Sequence, residues 1–74
     1  MSKLPTVSCR EAVAAFQKIG YEVDHQSGSH VILRNREPPF RRLTVPNHKK
    51  IAKGTLRSLI REAGLTVDEF VALL

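Results

Sequence analysis

The spacing of apolar residues changes period along the chain, and each change marks an element. Ala12, Ala15, Phe16 and Ile19 recur at helical spacing. Ser8-Cys9-Arg10-Glu11 in front of them reads as a capping box, with the Ser8 hydroxyl accepting from the Glu11 amide while the Glu11 carboxylate reaches back. Val7 and Ala12 stand where a hydrophobic staple would sit, and Gly20 supplies a left-handed stop. The pattern predicts a first helix from Cys9 to Ile19, after a short leader over residues 1–6. Tyr21-Glu22-Val23-Asp24-His25 alternates with period two and predicts a strand that puts His25 at the core edge with Tyr21 and Val23. Gln26-Ser27-Gly28-Ser29 reads as a turn, and His30-Val31-Ile32-Leu33-Arg34 as a second strand. Asn35-Arg36-Glu37-Pro38-Pro39 is a polar loop whose prolines forbid regular pairing, and Arg41–Val45 is a third strand closed by Pro46. A second helix begins near Gly54-Thr55, with Leu56, Leu59, Ile60 and Ala63 on one side and Arg57, Ser58, Arg61 and Glu62 on the other. Gly64 stops it. Thr66-Val67-Asp68-Glu69 is a second capping box opening a short terminal helix with Val67, Phe70, Val71 and Leu74 inward.

The order predicts a single α+β domain over residues 1–74: a three-stranded sheet with the helices on one face. Short connections favour an antiparallel meander. Val31, Leu33, Leu43 and Val45 are the inward strand positions, which leaves His30, Arg34, Arg42 and Thr44 on the open face. Ile32 falls on that open face too, against its chemistry. Aromatics are 5% of the chain, with no Trp, so the core is expected to be aliphatic. A lone Cys9 excludes an intrachain disulfide, and Cys9, His25, His30 and His48 are not at zinc-site spacing. Cys9 in the first turn of a helix could have an activated thiol, but a buried structural cysteine is the better reading. The N-terminal stretch has no signal-peptide apolar run and no segment is long enough for a membrane span, so a cytoplasmic protein is expected.

Charge narrows the class of partner. Twelve Lys and Arg oppose seven Asp and Glu, for a net +5. The excess is local: Arg34, Arg36, Arg41, Arg42, Lys49, Lys50 and Lys53 are opposed in their segment by Glu37 alone. Clustered basic residues at this pI are the footprint of a nucleic-acid binder. A membrane surface, an acidic protein or a merely solvated basic face remain as alternatives.

His30 follows Gly28-Ser29 directly, so a close-approach turn holds it at the first position of a strand. An imidazole there can exchange protons near neutral pH, with basic neighbours suited to an anionic substrate. On spacing alone an ordinary strand histidine is the stronger reading. His48, between Pro46-Asn47 and Lys49-Lys50, could assist at a phosphate or simply be a loop residue. Glu22 and Asp24 could be paired acids or hold a magnesium ion, though solvated carboxylates are commoner. No glycine-rich phosphate loop or Ser-His-Asp signature is present.

Four ordered blocks carry a family resemblance. They are Lys3-Leu4-Pro5 with Ser8, Glu11 and Gly20-Tyr21; Gly28-Ser29-His30-Val31-Ile32-Leu33-Arg34; Thr44-Val45-Pro46-Asn47-His48; and Gly54-Thr55-Leu56-Arg57-Ser58-Leu59-Ile60 with Ala63-Gly64-Leu65. Together they resemble the HicA-family mRNA interferase toxins of toxin–antitoxin pairs, over nearly the whole chain. The resemblance implies a fold like a double-stranded-RNA-binding domain, α-β-β-β-α. It implies an endoribonuclease that needs no metal or other cofactor, monomeric when free and neutralised by a HicB-like antitoxin. It maps the family's catalytic histidine onto His30, supported by Gly28 and Ser29. Arg34, Arg42, His48, Lys49, Lys50, Lys53 and Arg57 are then the expected RNA contacts. Where relatives commonly carry a second histidine after the motif histidine, this chain has Val31, so a mechanism built on two adjacent histidines does not fit.

Overall fold

A computed structural model describes residues 3–74. The elements run α1 (Cys9–Gln17), β1 (Tyr21–Ser27), β2 (His30–Asn35), β3 (Arg42–Pro46), α2 (Lys53–Glu62) and α3 (Val67–Leu73). The strands pair antiparallel in the order β1-β2-β3. The helices lie against one face, so the architecture is the expected α+β one and is compatible with a double-stranded-RNA-binding-domain-like description.

Both capping boxes form. Glu11 N–H donates to Ser8 Oγ at 3.1 Å and Ser8 N–H to Glu11 Oε1 at 3.0 Å. Glu69 N–H donates to Thr66 Oγ1 at 3.1 Å and Thr66 N–H to Glu69 Oε1 at 2.9 Å. Helix α1 ends at Gln17, short of Ile19, with Lys18 as its cap. Gly20 then takes φ +99°, and the Asn35 side chain lies where a Cβ at Gly20 would meet it at 3.3 Å. Helix α2 starts at Lys53, earlier than expected, on Ala52, which offers no side-chain cap.

The core is mainly aliphatic, as expected, but three rings sit within it. Phe16, Tyr21 and Phe70 are all buried, with Phe16 edge-on to Tyr21 at 5.9 Å between centroids and tilted against Phe70 at 5.3 Å. Rings fill the depth between sheet and helices that a few aliphatic side chains would leave as voids. Leu33, Leu43 and Val45 are buried beneath them, as the strand alternation requires, while Val31 is only half-buried. Leu4 is buried too, so this part of the leader packs into the core. Leu74 is exposed, contrary to the expected inward stripe.

Strand β1 departs most from expectation. Gln26 and Ser27 belong to the strand, and only Gly28-Ser29 forms the turn, with Gly28 at φ +57°. Glycine first in a two-residue loop suits the twist of a hairpin. Asp24 is an extra residue in the ladder: Val23 opposes Leu33, His25 opposes Ile32, and Ser27 opposes His30. Such a bulge shifts the alternation by one. His25 therefore leaves the core edge for the open face, beside Ile32.

Candidate nucleic-acid interface

Cross-strand partners share a face, so the registers lay out the open side of the sheet row by row. Ser27, His30 and Pro46 form one end, His25, Ile32 and Thr44 the middle, and Glu22, Arg34 and Arg42 the other end. Ile32 is half-buried there between its neighbours rather than fully exposed.

His30 is exposed, and among the described residues no hydrogen bond or ion pair engages its imidazole. Its surroundings are fixed through the backbone. The Ser29 carbonyl accepts from Asn47 N–H at 2.7 Å, which ties the glycine turn to the segment after β3. That segment is held on its other side by Cys9 N–H donating to the His48 carbonyl and Ile51 N–H to the Val7 carbonyl, both at 2.9 Å. Lys49 and Lys50 are thus displayed from a clamped loop at the His30 end of the sheet, exposed and without side-chain partners among the described residues. Lys53 and Arg57 lie one turn apart on α2, so they share a helix side and belong to the helical layer rather than to the open face.

Arg34 and Arg42 are not beside His30. Four residues along β2 separate His30 from Arg34, about 13 Å at the rise of a strand. At that far end Arg34 lies over the Phe40 ring, 5.1 Å from its centroid, and Arg36 Nε is 3.6 Å from Glu22 Oε1. Phe40 is exposed, and the sequence pattern assigns it no role.

His25 is the other residue that sequence reasoning passes over. Its Nδ1 is 2.7 Å from Asp24 Oδ2. The hydrogen bond from His25 holds the Asp24 carboxyl below its ordinary range, helped by the charges of His25, Arg42 and Arg34. His25 opposes Ile32, so it is the diagonal neighbour of His30, about 7–8 Å away between Cα atoms. The signal for this would have been the bulge, which no glycine or proline announces.

Cys9 is buried, and burial pushes its thiol pKa up, the opposite of an activated thiol. Among the described residues no three His, Cys, Asp or Glu side chains gather as metal ligands, and no helix is long and apolar enough to cross a membrane.

A family model described as the HicA toxin of bacterial toxin-antitoxin matches residues 9–65, more than three quarters of the chain. That span includes every element from α1 to α2, the glycine turn and the clamped loop. A search of curated proteins finds no match.

Proposed function

The chain belongs to the HicA toxin family of bacterial toxin–antitoxin systems, and from that premise we propose that it is an endoribonuclease working by histidine acid–base chemistry on the open face of its sheet. The observation that carries this reading is His30: an exposed, unengaged imidazole on a glycine turn, tied by the Ser29–Asn47 bond to a clamped basic loop.

The chemistry is attack of a ribose 2′-OH on the adjacent phosphorus. A base removes the 2′-OH proton as the P–O2′ bond forms. An acid protonates the 5′-oxygen as the P–O5′ bond breaks, leaving a 2′,3′-cyclic phosphate and a 5′-OH end. His30 fills one of these roles, typically worth 10²–10⁴-fold. In-line displacement puts base and acid on opposite sides of the phosphate, and His25 at the diagonal position is an imidazole placed for the second role. Lys49 and Lys50 hold phosphates and offset developing charge, with Lys53, Arg57 and His48 extending the track. The step draws on no metal. A HicB-like antitoxin is the proposed partner; the net +5 favours an acidic inhibitor that covers this face.

Purified protein incubated with RNA in EDTA should yield cyclic-phosphate ends. His30→Ala should lose at least about 100-fold in rate while keeping its circular dichroism. Full cleavage by folded His30→Ala would overturn the assignment. Salt-dependent binding without any cleavage by the native protein would favour a non-catalytic RNA-binding module instead.

A further inference from the structure

At the end of the open face remote from His30 lies a hollow of about 330 Å³, walled by Glu22, Asp24, Arg34, Arg36 and Phe40 among others. Three observations say what it would hold. The first is the ring. The other aromatics of the chain are buried, yet Phe40 is 45% exposed. It is held in place by its own backbone at φ +57°, which side-chain-bearing residues seldom adopt. The loop enforces this: Phe40 N–H donates to the Glu37 carbonyl at 2.8 Å, Glu37 N–H to Asn35 Oδ1 at 2.9 Å, and Asn35 N–H to the Arg41 carbonyl at 2.8 Å. An exposed ring kept at a disfavoured φ by three hydrogen bonds is a presented ring.

The second is the plane beside it. Arg34 lies 5.1 Å from the Phe40 centroid, so a guanidinium and a phenyl ring together offer flat surfaces at the mouth of the hollow. Flat surfaces of this kind take the π-face of an unstacked base. The third is charge. The arginines here face carboxylates: Arg36 pairs with Glu22 at 3.6 Å, and Asp24 feels both Arg34 and Arg42. Unlike the clamped lysine loop, this hollow has little net charge to offer a phosphate. A neutral, planar, hydrogen-bonding group suits it better.

We propose that this hollow is a base-binding subsite, taking one unpaired nucleobase of an RNA strand stacked on the Phe40–Arg34 pair. The inference rests on the ribonuclease reading above and adds a second contact to it. At about 13 Å from His30 along β2, the base belongs to a neighbouring nucleotide and not to the one being cut. Arg34 thereby acts on a base face and not on a phosphate.

The test uses the full chain and short single-stranded RNAs carrying 2-aminopurine at successive positions, with the cleaved 2′-OH replaced by hydrogen so that the strand stays intact. One position should be singled out by altered fluorescence on binding. Phe40→Ala should abolish that signal and weaken binding about tenfold, with the slope of affinity against salt unchanged, because every phosphate remains neutralised as before. Phe40→Trp should restore both, which guards against a folding defect in the alanine variant. An abasic nucleotide at the reporting position should cost the native protein the same factor and cost Phe40→Ala nothing further. Native affinity in folded Phe40→Ala, or a loss accompanied by a shallower salt slope, overturns the subsite. Cleavage by the native protein is measured in parallel. Cleavage with no Phe40 effect removes the subsite and keeps the ribonuclease; a Phe40 effect with no cleavage removes the ribonuclease and keeps the subsite.

Discussion

Asp24 holds His25 through Nδ1, which leaves Nε2 as the nitrogen available to a substrate on the open face. A ring fixed in this way is oriented by its neighbour, so under the proposed chemistry Asp24 would be a positioning residue and His25 the group that meets RNA. His25→Ala should lower kcat about 100-fold with RNA affinity nearly intact. Asp24→Asn should lower kcat less and leave KM alone, and Asp24→Glu should recover part of the loss. Because the Asp24 carboxyl is held below its ordinary range, it stays charged well into acid and its effect fades only as pH falls through that lowered value. Asp24 therefore adds no titration of its own between about pH 5 and 8. A single-turnover pH–rate profile decides it; a native profile in His25→Ala would return the second role to His48 or a lysine. Little of this is legible in the sequence. Tyr21, Val23 and His25 alternate perfectly, and alternation assigns one face to all three; the extra residue that separates them is an ordinary aspartate. His30 is legible because glycine and serine before it mark the turn that exposes it.

The starts of α1 and α3 are the most readable features, because a capping box is local: four consecutive residues satisfy each other's orphan amides. Replacing Ser8 by alanine should cost about 1 kcal/mol of stability, as should Thr66→Ala, each read as a lower urea midpoint at constant slope. No shift for Ser8→Ala would mean that Cys9 N–H, through its bond to the His48 carbonyl, fixes the helix start by itself. Strand ends are less readable. Gln26, Ser27, Gly28 and Ser29 all have turn-like chemistry, but only Gly28 needs a positive φ, and the ladder runs on through the other polar residues up to it. The start of α2 gives no signal because Ala52 caps nothing.

Across the whole molecule, charge and core follow different rules. The basic surplus is countable in the sequence, whereas its division into a lysine loop at the His30 end and charge-balanced arginines at the other comes only with the registers. Neutralising Lys49, Lys50 and Lys53 together to glutamine should weaken RNA binding alike for all sequences. The salt slope should fall by about 0.7 for each phosphate on a single strand that a lysine no longer neutralises. An unchanged slope would make the loop a solvated one. The buried Phe16–Tyr21–Phe70 contact is hidden for a similar reason: composition counts rings but does not say that three of them meet.

The bulge at Asp24 reaches beyond the site. Strand β1 lies at the rim of the sheet, and nothing among the described residues pairs with its outer side. A straight, regular rim strand is a template on which another chain can add by hydrogen bonding, the first step toward aggregates. The kink at Asp24, with Glu22 beside it, breaks that template in the middle of the strand. One extra residue thus gives the sheet a second imidazole and makes its β1 border a poor seed for polymerisation.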